Sequence, residues 1–214
     1  MAAASASEPC VATAAGPARA TLLDPPKPFG ALIFDWDGTL VDSLGTYRRA
    51  LVRALQPLGV SLDAAWLAEH AGCSNRDLLR ALQADFGHRF DLPAVLAAVE
   101  RGYLAGVGSV RAVPAVVAVA RRHQGRVPLA VATGGRRALV EATLRATGLA
   151  RLFDVLVTIE EVDRGKPAPD LFLLAAARLG VLPSACVAYE DSREGLAAAG
   201  TAGMRTVDVR ACRA

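Results

Sequence analysis

The chain has 214 residues, 53% of them hydrophobic, with 24 Lys and Arg set against 21 Asp and Glu for a formal net charge of +3. That length suits one large domain, or one domain with a smaller appendage, and supports a sizeable core. The basic residues are scattered through helical patterns instead of gathered in a stripe, which argues against nucleic acid, and no run of 18 apolar residues offers a membrane span.

Residues 1–28 are rich in Ala, Ser, Thr and Pro, include Glu8 and Arg19, and show no hydrophobic periodicity, so a disordered tail is expected. A secretory signal would need a basic start and a compact apolar run. An organellar transit peptide is the alternative reading of this tail, which is poor in arginine for one. Ala31 to Phe34 is a short apolar run of the kind that forms a parallel strand buried on both faces, and it ends at Asp35. Ser43 is placed to cap a helix through Leu44, Tyr47, Leu51, Ala54, Leu55 and Leu58, ended by Gly59. A second helix carries Leu62, Trp66 and Leu67 and stops at Gly72. Ser74 and Asp77 resemble a capping box for a third, through Leu78, Leu79, Leu82 and Phe86 to Gly87. Asp91 and Pro93 open a fourth that runs to about Tyr103. Helices in succession without a strand predict a small bundle.

From there the pattern alternates. Pro114–His123 reads as helix, Val127–Ala132 as strand, Ala138–Leu149 as helix and Phe153–Thr158 as strand. Asp170 is read as the cap of a helix over Leu171–Leu179. Cys186–Tyr189 is a strand, Gly195–Ala202 a helix and Thr206–Val209 a last strand. Alternation of this kind predicts a parallel sheet with helices on both faces, the bundle being inserted after the first strand.

Polar residues recur at the strand ends. The first strand leads into Asp35, Asp37, Gly38 and Thr39; the next into Thr133, Gly134 and Gly135; the third is followed by Lys166; the fourth by Glu190 and Asp191. In a parallel sheet these residues share one edge, where ligands bind. Clustered carboxylates call for a cation, and hard oxygen ligands suit Mg²⁺. A hydroxyl and free amides before a helix suit a phosphate. Lys166 is one of only two lysines, with Lys27, against 22 arginines, which hints that the position wants a compact point charge. Together these features suggest a phosphate site with a metal and a carboxylate nucleophile.

DWDGT at 35–39, Thr133, Lys166 in RGKPAPD, and Glu190-Asp191 in YEDSREGLAAAGTAGM match in order the four motifs of the haloacid dehalogenase (HAD) superfamily, which the chain resembles over about residues 29 to 210. The resemblance implies an α/β fold with a Rossmann-like core (29–43 and 114–214) and an inserted helical cap (44–113), similar to the subgroup of β-phosphoglucomutase and small sugar phosphatases. KPAPDLFLLAAARLGV and AGMRTVDVR resemble fructose-1-phosphatase-like and 6-phosphogluconate phosphatase-like members. By that resemblance Asp35 attacks phosphorus and Asp37 is the acid and base. Mg²⁺ is held by the Asp35 carboxylate, the Asp37 carbonyl and Asp191, with Glu190 as ligand or support. Thr133, Gly134 and Lys166 bind phosphoryl oxygens, and Thr39 is counted with the phosphate-binding residues.

The resemblance also discriminates. Dehalogenases of the superfamily lack the second aspartate, and phosphonate hydrolysis uses a cap lysine that residues 44–113 do not contain. β-Phosphoglucomutase has valine at the position of Thr39 and histidine at that of Tyr47, so hydrolysis of a phosphomonoester is expected over isomerisation; an idle binding protein is the remaining alternative. Tyr47, Cys73, Asn75 and Arg76 are candidates for selecting the substrate. Asp42 and Ser43 are read as turn and cap, and His70, His88 and His123 as surface or satisfied positions. Trp36 is read as packing beneath the cap. The four cysteines, Cys10, Cys73, Cys186 and Cys212, lack CxxC spacing and suit reduced thiols in a cytoplasmic protein. A monomer is expected, with a small-molecule substrate and no nucleic-acid or membrane partner.

Overall fold

The computed structural model describes residues 23–69 and 75–212. The tail before residue 23, together with His70, Gly72, Cys73 and Ser74, lies outside the described residues. Five parallel strands form the main sheet: β1 (Ala31–Phe34), β4 (Leu129–Ala132), β5 (Val155–Val157), β6 (Cys186–Glu190) and β7 (Arg205–Asp208), in the order β5-β4-β1-β6-β7. The order reverses at β1, so the crevice beyond its carboxyl end is where a doubly wound sheet binds ligands. Pairing runs Phe34 to Val131 on one side and Phe34 to Tyr189 on the other, which brings the ends of β4 and β6 level with Asp35.

The strands alternate between two cores, as a period of two requires. Leu32, Phe34, Val131, Val187 and Tyr189 face one, where Phe34 stacks on Tyr189 with ring centroids 4.7 Å apart. Ala31, Ile33, Ala130, Ala132, Cys186 and Ala188 face the other, against Phe172, Ala175, Ala198 and Ala199. Short side chains on that second face let α7 (Asp170–Leu179) and α8 (Arg193–Thr201) lie close to the sheet. Cys186 is buried there, and burial pushes its thiol up to about 11. The helices α5 (Pro114–His123) and α6 (Arg137–Thr147) complete the alternation.

After β1 the chain folds back on itself. The Trp36 carbonyl accepts from the amides of Thr39, Leu40 and Val41, and Gly38 turns at φ 89°, a conformation that glycine adopts without strain. Four helices follow: α1 (Leu44–Leu55), α2 (Ala64–Glu69), α3 (Asn75–Phe86) and α4 (Leu92–Gly106). The chain leaves for them and returns through a two-stranded antiparallel ribbon, β2 (Val41–Asp42) with β3 (Arg111–Ala112). Sequence periodicity does not reveal this ribbon, because two residues per strand carry no pattern. The first core runs on from the sheet into these helices, through Trp36, Leu55, Leu79, Leu82, Val99 and Tyr103. The Tyr103 hydroxyl on α4 bonds Thr143 on α6 at 2.9 Å, a buried polar tie between the bundle and the sheet layer. No described helix is long and apolar enough to cross a membrane.

Two expected caps are corrected by the structure. Asp170 does not cap α7 but is its first residue; its carboxylate instead pairs with Arg164 at 2.9 and 3.1 Å. Ser43 stands before α1, yet its hydroxyl caps no amide there.

Candidate active site

Asp35 follows β1 with its amide bonded to the Tyr189 carbonyl at 2.9 Å, so sheet pairing itself fixes the base of the side chain. Lys166 Nζ lies 2.6 Å from Asp35 Oδ1 and 2.6 Å from Glu190 Oε1. The three side chains are 9%, 1% and 11% exposed for Asp35, Glu190 and Lys166, so the pairs are screened little by water. Lys166 Nζ also stands 5.1 Å from the centre of the Phe172 ring. Burial works against the ammonium, but the charges of Asp35 and Glu190 outweigh it and raise its pKa.

The second oxygen of Glu190 is used as well. Glu190 Oε2 accepts from the Asp191 amide at 2.8 Å, the Ser192 amide at 2.8 Å and the Ser192 hydroxyl at 2.9 Å. Glu190 therefore shapes the turn that presents Asp191. Gly195 makes room for it, since a Cβ at that position would collide with the Glu190 carboxylate. Asp191 Oδ1 accepts from the Thr39 hydroxyl at 3.2 Å, and a Cβ on Gly38 would strike the Asp191 carboxylate. Thr39, fully buried, is thus spent on orienting Asp191.

Asp35, Glu190 and Asp191 each offer a carboxylate oxygen, all within 4.8 Å of one another. Burial, partly offset by the Lys166 charge, pushes Asp35 up to about 8. Three carboxyl groups crowded beside one lysine form an all-oxygen donor set, and a hard divalent cation such as Mg²⁺ fits it. Both Glu190 oxygens are engaged, one by Lys166 and the other by the turn at Asp191 and Ser192, which suits Glu190 to the part of support.

Asp37 is held apart from this triad. Its carboxylate accepts a hydrogen bond from the buried Ser43 hydroxyl. Burial raises its pKa to about 6 while the Ser43 bond works the other way. The loop after β4 closes over it: a Cβ on Gly135 would sit 3.3 Å from Asp37 Oδ2 and 3.2 Å from Thr133 Oγ1. Thr133 Oγ1 accepts from the Gly135 amide at 2.9 Å, which leaves its own proton to donate to an anion. A Cβ on Gly134 would meet nothing within 4 Å, so the loop faces open space there. Tyr47 stacks on Tyr103 at 4.2 Å between ring centres, and burial and then the Asp37 charge hold the Tyr47 hydroxyl well above its ordinary pKa.

Asp35, Thr39, Lys166, Glu190 and Asp191 thus form one group, with Asp37 and the Thr133–Gly135 loop beside it. Cys73 lies outside the described residues, and Arg76 is exposed at the start of α3. Sequence reasoning missed Ser43 as a partner of Asp37, and Ser192 and Gly195 as supports of Glu190. Nothing short of the folded turn announces the first; the last two lie in the segment EDSREG immediately after a carboxylate pair.

An acidic triad, two of whose members one lysine bridges, with a separate carboxylic acid and an anion-binding loop at the switch point of the sheet, defines a hydrolase site for phosphate esters. The chain matches the haloacid dehalogenase-like hydrolase family over residues 29–203 and belongs to it. It is 39% identical to "Fructose-1-phosphate phosphatase YqaB" of Escherichia coli (strain K12) over 186 residues, 85% of this chain and 97% of that one. It is 36% identical to "Validoxylamine A 7'-phosphate phosphatase" of Streptomyces hygroscopicus subsp. limoneus over 80% of this chain and 81% of that one. Among solved structures it resembles CbbY from Rhodobacter sphaeroides in complex with phosphate, with a TM-score of 0.75 and 28% identity over 84% of this chain and 85% of that one. The site and the family together make the chain a phosphomonoester hydrolase.

Proposed function

We propose that the protein is a Mg²⁺-dependent phosphatase of small sugar phosphates, of the fructose-1-phosphate or 6-phosphogluconate kind, acting through an aspartyl-phosphate on Asp35. The observation that carries the reading is the division of labour between two carboxylates two residues apart. Asp35 sits against Lys166 beside a second acid, whereas Asp37 has a partner of its own in Ser43. Carboxylates whose surroundings differ in this way take different roles in one reaction.

In the first step an Asp35 oxygen attacks phosphorus, the ester P–O bond breaks, and Asp37 gives its proton to the leaving sugar oxygen. In the second, water gives a proton to Asp37 and attacks the phosphorus, releasing inorganic phosphate and Asp35. A pKa near 6 lets Asp37 carry the proton in one step and accept it in the other. Lys166 and the Thr133 hydroxyl, with the Gly134 amide, hold phosphoryl oxygens as charge shifts. Asp35 and Asp191, with the Asp37 carbonyl, would hold Mg²⁺, which supplies positive charge against the phosphoryl oxygens.

We read 29–43 and 114–214 as the core and 44–113 as a cap that selects the leaving group. A cytoplasmic monomer acting on a free metabolite is the fitting setting.

The test is a hydrolysis screen of the full chain with Mg²⁺ over phosphorylated hexoses, pentoses, sugar acids and nucleotides. Phosphate release from a sugar phosphate, abolished by chelation, restored by Mg²⁺ and lost in Asp35→Asn, is expected. Preference for a nucleotide overturns the sugar assignment. Phosphate moved without release indicates a mutase, and release that survives Asp35→Asn removes Asp35 as nucleophile.

A further inference from the structure

The helix α6 begins against local rules. Arg136 occupies its N-cap position, no side chain caps it from there, and its first turn holds no acid. Ser, Thr, Asp or Asn is favoured at that place, and two adjacent arginines, 136 and 137, meet the positive end of the helix dipole. Such a violation next to the loop Thr133–Gly135 points to a task other than starting a helix.

The missing cap comes from another element. Glu160 lies in the 3-10 turn Ile159–Glu161 that follows β5. Its Oε2 accepts from the Arg137 amide at 2.8 Å and its Oε1 from Arg136 Nε at 3.3 Å. The same turn approaches the loop through its backbone, with the Ile159 amide 3.4 Å from the Gly135 carbonyl. Arg136 then reaches out to Glu100 on α4, with Nη1 2.5 Å from Oε1. One guanidinium therefore joins the loop, the turn after β5 and a helix of the inserted bundle.

The ion pairs of this arrangement add little stability. The Arg136 and Glu160 side chains are 58% and 40% exposed, and ion pairs so exposed contribute little to folding. What the pairs do fix is where the loop sits, since Glu160 takes the Arg137 amide and Thr133 takes that of Gly135.

We propose that Glu160 is a positioning residue for the phosphate-binding loop, and that Arg136 couples the loop to α4 through Glu100. The inference rests on the phosphatase reading of this site. Glu160 acts on where the loop sits and leaves its Thr133 and Gly134 donors in place, so its loss should appear in KM and in phosphate affinity more than in kcat.

The experiment compares the full chain with Glu160→Ala, Glu160→Gln and Glu100→Gln, with Mg²⁺ present. It measures the affinity for inorganic phosphate, kcat and KM on p-nitrophenyl phosphate, and Tm. Glu160→Ala should weaken phosphate binding and raise KM about tenfold, the effect of one disturbed charge-assisted hydrogen bond. Its Tm should fall by about 2–4 °C at most, the scale of one lost helix cap in a chain of this length. Glu160→Gln should recover most of the affinity, because its amide oxygen still accepts from Arg137. Glu100→Gln should raise KM about threefold, the scale of a lone exposed pair. Unchanged phosphate affinity in Glu160→Ala overturns the proposal, as does a fall in Tm that Glu160→Gln shares. If the parent binds phosphate but hydrolyses no ester, the phosphatase reading fails, while the phosphate affinities of the variants still decide this one.

Discussion

The Ser43 hydroxyl donates a hydrogen bond to the carboxylate of Asp37, six residues earlier in the chain. The bond favours the ionised form of Asp37 and opposes the burial that raises it to about 6. Removing the hydroxyl should move the Asp37 ionisation to higher pH. In the pH dependence of kcat, Ser43→Ala should shift the limb near pH 6 upward by about one unit, the scale of a hydrogen bond to a charged group. Ser43→Thr, which keeps the hydroxyl, should restore the parent profile. A limb that stays in place in Ser43→Ala removes Asp37 as the titrating group.

Lys166 separates two buried acids, and its loss should be severe. Lys166→Met leaves Asp35 and Glu190 facing each other without the ammonium that lies 2.6 Å from both. We expect kcat to fall about a thousandfold, as when a preorganised charge is taken from a site. Lys166→Arg should not rescue it, because a planar guanidinium cannot place one point charge equally close to both oxygens. Steady-state kinetics on the preferred substrate, with Tm recorded alongside, checks both variants.

Gly195 and Gly200 lie on the same helix and should answer differently to alanine. A Cβ at Gly195 runs into the Glu190 carboxylate, whereas one at Gly200 meets nothing within 4 Å. Gly195→Ala should cost about 1–3 kcal/mol by overpacking. It should also depress kcat by moving the turn that carries Asp191. Gly200→Ala should be neutral or stabilise by up to about 1 kcal/mol, since alanine is the better helix former. Urea denaturation of the two variants provides the comparison.

Glu161 makes stability depend on acid. Its carboxylate accepts from the Thr158 amide at 2.9 Å and pairs with Arg137 and Arg178 at 2.5 Å each. Burial alone would raise its pKa, but these bonds outweigh it and hold it at about 2, below the ordinary 4.5. A folded-state pKa below the unfolded one means that the stabilisation is complete above pH 4.5 and is lost as pH falls toward 2. Glu161→Gln should therefore cost about 1 kcal/mol at pH 7, a figure discounted for partial exposure. The difference from the parent should close as the pH is lowered through that window, as measured by denaturation at a series of pH values.

The elements with strong periodicity are legible in the order of residues. Ala31–Phe34, Leu129–Ala132 and Cys186–Glu190 are largely apolar runs, and each is a buried strand of the sheet. The ribbon Val41–Asp42 with Arg111–Ala112 is not legible, because its two-residue strands pair across about seventy residues. Ser43 and Asp170 mislead for one reason. A short polar side chain ahead of a helix suits a cap, yet a hydroxyl or carboxylate bonds whichever partner the fold brings nearest. For Ser43 that is Asp37, and for Asp170 it is Arg164.

The order of residue types along the chain, from Asp35 and Asp37 through Thr133 and Lys166 to Glu190 and Asp191, points to a phosphate site, and its match to four family motifs names the class of reaction. Local patterns carry that information, because strands end where apolar runs end. The tertiary structure alone decides which oxygen meets which donor. Lys166 joins Asp35 across 131 positions and Glu190 across 24, Thr39 turns to Asp191 across 152, and Glu160 reaches back to cap a helix it does not belong to. Those pairings depend on the order of strands in the sheet and on the depth of each side chain below the surface, and neither is written in the neighbours of any one residue.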